Sequence, residues 1–254
     1  MTFPLRTPSR LAAVVLIAAM APLAATETDD RIVAAAQGSY NFKTYLKDDK
    51  VNIVCKSGAV TLTGSVFDEF HRAIAEETLA GLPGVKSVNN QLNVLGEPNG
   101  ITVDGSLKAK VQVALLFHRN LSAVSTQVSV DKGVVTLRGE AGSQAQKDLA
   151  TEYVKGLDGV VRVVNEMTVV NDPHRKRKAL RKKIDDASIT AQVKMALLFN
   201  KATSAIHTKV RTENGIVVLT GTAQSRAEKN RVTRIVRNIE GVEGVRNQMT
   251  VETK

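Results

Sequence analysis

The sequence has few of the residues on which several classes of protein depend. It contains no Trp, only 4% aromatic residues and a single cysteine, Cys55, among 254 residues. Proteins that bind single-stranded nucleic acid stack the bases on exposed aromatic side chains, so the shortage of aromatics argues against that class. One cysteine excludes both an intrachain disulfide and a cysteine-rich metal site.

The sequence also lacks an apolar run long enough to cross a membrane. Its most apolar stretch, Leu11–Ala25, falls short of the roughly 20 residues that a spanning helix needs. Arg6 and Arg10 precede this stretch and small residues end it, which is typical of a secretory signal peptide. No cysteine lies nearby to suit a bacterial lipoprotein. We therefore expect a signal peptide at 1–25 and a periplasmic mature protein that is not a lipoprotein.

The rest of the chain is a threefold internal repeat. Five residue positions recur in each copy at constant spacing: an Asp, three glycines and an Asn. In chain order these residues are Asp29, Gly58, Gly64, Gly84 and Asn90; Asp104, Gly133, Gly139, Gly159 and Asn165; and Asp186, Gly215, Gly221, Gly241 and Asn247. The repeat defines unit one (29–95), unit two (104–170) and unit three (186–252), with a joint at 171–185 between the last two.

Each unit has the same predicted order of elements. The Asp is placed to cap a first helix, whose apolar residues follow at helical spacing. Two short alternating strands surround the first glycine, and Asn214-Gly215 is typical of a two-residue hairpin turn. A second helix and an alternating last strand complete the unit. The predicted fold class is α+β, with three tandem small α-β-β-α-β sandwich domains.

Two motifs in each unit make a resemblance specific. V-x-L-x-G occupies 60–64, 135–139 and 217–221, and G-V-x-x-V-x-N occupies 84–90, 159–165 and 241–247. With this order of elements, the sequence resembles the BON domain family. The resemblance implies a periplasmic protein of the kind induced by osmotic stress, and attachment to phospholipid membranes.

Unit one departs from the other two in its first helix. It contains Gly38 and lacks the Ala-Leu-Leu-Phe run found at 114–117 and 196–199. We therefore expect a shorter or looser first helix in unit one.

The sequence offers no constellation for catalysis or for a metal. The four histidines, His71, His118, His174 and His207, occupy different positions in the repeat and match no ligand spacing. No nucleophile elbow or phosphate-binding loop is present, so we expect neither an enzyme nor a cofactor. Cys55 aligns with Val130 and Thr212 and is interpreted as a small strand residue.

The repeated Asn at the start of each last strand has two interpretations. Asn90, Asn165 and Asn247 could donate to a ligand in a groove, or their amides could satisfy nearby backbone groups. The second interpretation is favoured.

Basic residues are concentrated late in the chain. Residues 26–170 carry 15 basic and 17 acidic residues, whereas 171–254 carry 18 basic and 8 acidic residues, a net charge of +10. The candidate sites for lipid or another anion lie in the joint and on the second helix of unit three. In the joint they are Arg175, Lys176, Arg177, Lys178, Arg181, Lys182 and Lys183, and on the helix they are Arg226, Lys229, Arg234 and Arg237, beside Arg231.

These patterns lead to one functional hypothesis and one alternative. On export, the available polyanions are lipid headgroups, lipopolysaccharide phosphates and cell-wall polymers, and no nucleic-acid partner is expected. By charge alone, membrane contact and a solvated, self-repelling linker explain the joint equally well. The family resemblance favours a non-catalytic protein that binds phospholipid surfaces of the bacterial envelope and supports envelope integrity under osmotic or other stress. The alternative is a periplasmic chaperone or a module that binds envelope proteins.

Overall fold

The predicted order of elements is present three times. The computed structural model describes residues 22–95, 103–121, 126–170, 183–203 and 208–252. Each unit contains a first helix, a hairpin, a second helix and a last strand that is broken into two short pieces. The expected α+β class with three tandem domains is confirmed. Residues 1–21 of the expected signal peptide lie outside the described residues, as does most of the basic joint.

The elements of the three units have closely matched lengths. Unit one comprises α1 (Pro22–Gly38), α2 (Tyr40–Thr44), β1 (Lys50–Lys56), β2 (Ala59–Val66), α3 (Glu69–Ala80), β3 (Ser87–Asn90) and β4 (Asn93–Val94). Unit two comprises α4 (Val103–Phe117), β5 (Thr126–Asp131), β6 (Val134–Ala141), α5 (Gln144–Lys155), β7 (Arg162–Asn165) and β8 (Thr168–Val169). Unit three comprises α6 (Asp186–Phe199), β9 (Thr208–Glu213), β10 (Ile216–Ala223), α7 (Arg226–Arg237), β11 (Gly244–Asn247) and β12 (Thr250–Val251).

Each sheet is built around the second strand of its hairpin. In unit three, β10 pairs antiparallel with β9 on one side and parallel with β11 and β12 on the other. The alternating pattern of β10 directs Val217 and Leu219 into the core, where both are fully buried. The same register recurs in units one and two.

The hairpin turn predicted at Asn214-Gly215 is confirmed. Both residues have positive φ, 49° and 74°, as a two-residue turn requires. The equivalent turns are Ser57-Gly58 and Lys132-Gly133, in which a non-glycine residue also adopts positive φ. The repeated Asp, which lies outside the hairpin, stabilises each of these turns by accepting hydrogen bonds from its backbone N–H groups.

The repeated Asp does not cap the first helix, so that expectation is wrong. Asp29 lies well inside α1, Asp104 is the second residue of α4, and the N-cap of α6 is Asp185 rather than Asp186. Each repeated carboxylate instead accepts two backbone N–H groups of the hairpin turn. The donors are Ser57 and Gly58 for Asp29 (2.6 and 2.9 Å), Lys132 and Gly133 for Asp104 (2.6 and 2.9 Å), and Asn214 and Gly215 for Asp186 (2.7 and 2.8 Å).

The first helix of unit one was expected to be shorter or looser, but α1 has 17 residues, against 15 in α4 and 14 in α6, and the difference is instead a break at Gly38. α1 ends at Gly38, and Ser39 caps the short helix α2 by accepting the amide N–H of Phe42 at 3.4 Å. Units two and three have a single continuous helix at this place.

The repeated Asn has the backbone role that the sequence favoured. In unit two, the Asn165 amide donates to the carbonyl of Lys147 and the hydroxyl of Thr151, at 2.9 and 2.8 Å. Its oxygen accepts the N–H of Met167 at 3.0 Å. Asn90 and Asn247 tie the last strand to the second helix in the same way.

The three units pack around helix α6. Ten of its fourteen residues are buried, because α3 of unit one and α4 of unit two pack against it. The contact with unit one includes a buried polar group: Asn41 is fully buried and receives a hydrogen bond from Gln192 at 2.9 Å. Beside it, Lys194 forms an ion pair with Glu77 at 2.6 Å.

Candidate anion-binding surface

The second helix of unit three separates its apolar and basic residues. Ser225 caps the helix by accepting the N–H of Glu228 at 3.1 Å. Val232, Ile235 and Val236 are buried against the sheet. The opposite side carries four exposed arginines, which we call the arginine face: Arg226, Arg231, Arg234 and Arg237.

The arginine face has no acidic partner within the part of the chain that the structure describes. None of its four guanidinium groups takes part in an ion pair with a described residue. Arg231, Arg234 and Arg237 follow one another at spacings of three residues, so their charges repel along the helix. An anion bound at this face would relieve that repulsion.

Lys229 has a different environment from the arginines. Its ammonium group donates to the backbone carbonyl of Met249 at 2.6 Å, and the side chain is half-buried. Lys147 makes the equivalent bond to Met167 in unit two, at 2.7 Å. Lys229 therefore ties the helix to the last strand. The sequence pattern placed it among the anion-binding candidates because a helical face alone does not show this strand carbonyl.

The joint contributes one described candidate residue. Lys183 is exposed just before α6. The other six candidates lie outside the described residues: Arg175, Lys176, Arg177, Lys178, Arg181 and Lys182. The arginine face is thus the part of the basic region whose geometry is established.

The arginine face is specific to unit three. At the four equivalent positions, unit two has Gln144, Leu149, Glu152 and Lys155, and unit one has Glu69, Ile74, Glu77 and Ala80. The fold repeats three times, whereas this concentration of positive charge on a second helix occurs once.

Titratable groups with shifted pKa values have structural explanations. Burial raises the pKa of Tyr45 and Tyr153 above the usual range, and burial lowers the pKa of His118 to about 4. The Cys55 thiol donates to Asp29 at 3.1 Å, which lowers the pKa of Asp29, while burial raises the pKa of Cys55. These groups lie apart in core and turn positions.

The described residues contain no cluster of His, Cys, Asp and Glu suited to a metal ion. They also contain no helix of the length and hydropathy needed to span a bilayer.

Comparison with known proteins identifies a family whose model matches the chain three times. The family model of the BON domain matches residues 28–96, 103–171 and 185–253. The osmotically-inducible protein Y of Escherichia coli K12 is 31% identical over 206 residues, which cover 81% of this chain and 97% of that protein.

Two further relatives match over shorter stretches. The outer membrane lipoprotein DolP of Haemophilus influenzae is 32% identical over 56% of this chain and 71% of its own length. The 21 kDa hemolysin of Actinobacillus pleuropneumoniae is 29% identical over 56% of this chain and 76% of its own length. None of the three is named for a catalysed reaction. With three matched stretches that span most of its length, the chain belongs to the BON domain family.

Proposed function

We propose that the protein is an exported, non-catalytic protein that binds anionic phospholipid surfaces of the bacterial envelope and supports envelope integrity under osmotic or other stress. The observation that carries the proposal is the arginine face of α7, with four exposed guanidinium groups and no described acidic partner. Lipid phosphates accept hydrogen bonds from guanidinium groups in a bidentate geometry, which suits arginine better than lysine.

The charge available is sufficient for reversible membrane binding. Each basic residue near an anionic membrane surface contributes about 1 kcal/mol, so the four arginines supply about 4 kcal/mol at low salt. The seven basic residues of the joint, 175–183, would add to this attraction. Salt screens such contacts over about 8–10 Å, and binding should therefore weaken steeply with ionic strength.

The relatives support the envelope role. One is named as osmotically inducible and another as an outer membrane lipoprotein. The signal-like segment at 1–25 supports export to the compartment where such surfaces are found.

Vesicle co-sedimentation tests the proposal. The chain from Thr26 onward should sediment with phosphatidylglycerol vesicles at low salt, remain in the supernatant with phosphatidylcholine vesicles, and be released by added salt. Replacing the basic residues of 175–183 with Ser and Gln should weaken binding. Absence of binding to anionic vesicles at low salt contradicts the proposal, and undiminished binding by the joint variant removes the joint from the mechanism.

A second candidate, a protein-interaction module or chaperone, is favoured by one apolar groove. The groove has a volume of about 300 Å³ and lies where α3 of unit one meets α6 and β9 of unit three. Met195, Val210 and Leu198 line it, and Leu198 is 60% exposed. Exposed apolar surface of this kind can hold part of a protein client.

An aggregation assay in lipid-free buffer distinguishes the two candidates. A chaperone would suppress aggregation of an unfolded client, and Leu198→Glu would reduce that effect. Leu116 is the equivalent residue of unit two, so Leu116→Glu is the matched control. If client aggregation is unaffected by the wild-type protein, this candidate is wrong.

A further inference from the structure

Units two and three are joined by reciprocal backbone hydrogen bonds. Each residue of unit three lies 82 positions after its equivalent in unit two. The N–H of Glu240 donates to the carbonyl of Phe117 at 2.9 Å, and the equivalent N–H of Asp158 donates to the carbonyl of Phe199 at 2.9 Å. A second reciprocal pair consists of Arg119 N–H to Asn238 (2.8 Å) and Lys201 N–H to Gly156 (3.2 Å).

This reciprocity is the signature of a pseudo-twofold pair. In a twofold contact, the same patch of both partners meets itself, so every bond occurs twice. Unit one cannot join in the same way. Its residue equivalent to Asp158 and Glu240 is Pro83, which has no N–H to donate.

The symmetry is broken at a buried polar position, where unit two has His118 and unit three has Asn200. Both side chains accept the N–H of the residue two positions later: Nδ1 of His118 from Asn120 at 3.3 Å, and Oδ1 of Asn200 from Ala202 at 3.0 Å. His118 is 1% exposed and Asn200 is 9% exposed. The two side chains make the same hydrogen bond to the backbone, but only the histidine can take up a proton.

The hydrogen bonds of His118 determine its tautomer. Because Nδ1 accepts a hydrogen bond, the single proton of the neutral ring is on Nε2. Within the described residues, this buried nitrogen has no hydrogen-bond partner. A second proton would have to be placed on Nδ1, where it would point at the N–H of Asn120 and break that bond.

The surroundings of His118 oppose a positive charge. The ring packs edge-on against Tyr153 of α5, with ring centres 4.7 Å apart, and lies beside Ile239 of unit three through a backbone bridge. On its own turn, Arg119 is positive, and its guanidinium group donates to the carbonyls of Ile239 and Val242. The acidic residue of the facing turn is Glu240, whose charge adds a smaller effect to that of burial in raising the pKa of Tyr45.

We propose that His118 makes the junction between units two and three acid-sensitive, so that its second protonation breaks the contacts on its side of the pseudo-twofold pair while those around Asn200 persist. The inference concerns the junction alone and does not depend on lipid binding.

The direction and size of the effect follow from proton linkage. Burial first, and then the charge of Arg119, lower the pKa of His118 from 6.5 to about 4. The neutral form is therefore favoured when the junction is closed, and the closed state is most stable above pH 6.5. Relative to high pH, where the ring is neutral in both states, opening of the His118 side should be roughly 30-fold more favourable at pH 5 and roughly 300-fold more favourable when titration is complete below pH 4.

Amide hydrogen exchange measured on the whole chain, after correction for the intrinsic pH dependence of exchange, tests the proposal. The amides of Arg119 and Glu240 report on the His118 side, and those of Lys201 and Asp158 report on the Asn200 side. Between pH 7 and pH 5, the first two should lose protection by roughly 20-fold relative to the second two.

Two variants follow from the symmetry. His118→Asn copies the residue of unit three and should abolish the acid-induced difference while leaving the junction closed. Asn200→His should extend acid sensitivity to Lys201 and Asp158 while His118 keeps its own side acid-sensitive. An equal response of wild type and His118→Asn to acid overturns the proposal. If His118→Asn alters the fold at pH 7, the wild-type contrast between the two sides and the Asn200→His variant still decide the matter.

Discussion

The carboxylate of Asp186 accepts a hydrogen bond from the backbone N–H of Gly215 at 2.8 Å, across 29 residues of sequence. The same contact joins Asp104 to Gly133 at 2.9 Å. Each carboxylate also binds the preceding amide of the turn, so both N–H groups that the hairpin leaves outside its own ladder are satisfied. This contact fixes the first helix of the unit to its sheet.

Replacing Asp186 with Ala should destabilise unit three. The variant loses two hydrogen bonds to a charged acceptor, and two backbone N–H groups of the turn lose their acceptor. The free energy of unfolding should therefore fall by about 2–4 kcal/mol. Chemical denaturation measures the loss, and Glu252→Ala, at an exposed position, is a control expected within about 0.5 kcal/mol of wild type. A similar small change for Asp186→Ala would contradict the structural role.

Replacing Asn165 with Ala should separate the last strand of unit two from α5. Three hydrogen bonds are lost, and we expect a decrease of about 2–3 kcal/mol in the free energy of unfolding. Thr151→Val removes one of the three partners and should cost less. A stable Asn165→Ala protein with impaired lipid binding would instead support the ligand-donor interpretation of this residue.

Replacing Cys55 with Val should raise the pKa of Asp29 towards its usual value of 3.8. The Cys55 thiol is the strongest influence that lowers this pKa, followed by the amide of Gly58. Because the folded-state pKa is lowered, ionised Asp29 stabilises the fold above its unfolded pKa, and this contribution disappears as the pH falls through the folded value. The substitution should reduce that acid dependence.

The carboxyl signal of Asp29, followed by NMR during a pH titration, measures this change. Valine occupies the equivalent position 130 in unit two, so the strand accommodates it. An unchanged Asp29 pKa in the variant would show that the thiol hydrogen bond has no influence.

Replacing Asp158 with Pro should weaken the pairing of units two and three. The change removes the N–H that donates to Phe199, and Pro83 shows that this turn accepts proline. Asp158→Ala keeps the N–H and is the matched control. Relative to that control, denaturation should reveal a loss of about 1–2 kcal/mol. Equal stability of the two variants would mean that the reciprocal bond does not hold the units together.

Local patterns predicted the units themselves. Alternation in 128–137 marks the hairpin strands, the spacing of Val232, Ile235 and Val236 marks the buried face of α7, and Asn214-Gly215 marks the turn. The exposure of the arginine face follows from the same helical period, because residues opposite a buried stripe face solvent.

Contacts between distant parts of the chain could not be predicted from such local patterns. An Asp near the start of a helix resembles an N-cap, and nothing local to Asp29 or Asp186 indicates a turn 28 residues later. Helix α6 is apolar on most sides, which is consistent with burial. Its sequence does not indicate that α3 and α4 are the helices that pack against it. The pseudo-twofold pair rests on reciprocal bonds between residues far apart in the chain, which no local pattern indicates.

The most direct test of the membrane proposal compares two variants of equal net charge in the vesicle assay. One replaces Arg226, Arg231, Arg234 and Arg237 with Gln, and the other replaces four exposed lysines of unit one, Lys43, Lys47, Lys50 and Lys56, with Gln. Each loses four positive charges, so a difference between them reports the position and the chemical type of the charged groups rather than the amount of charge. We predict that the arginine variant loses most of its binding to phosphatidylglycerol vesicles and that the lysine variant binds like wild type. Equal binding by the two variants would contradict the assignment of the arginine face as the lipid-binding surface.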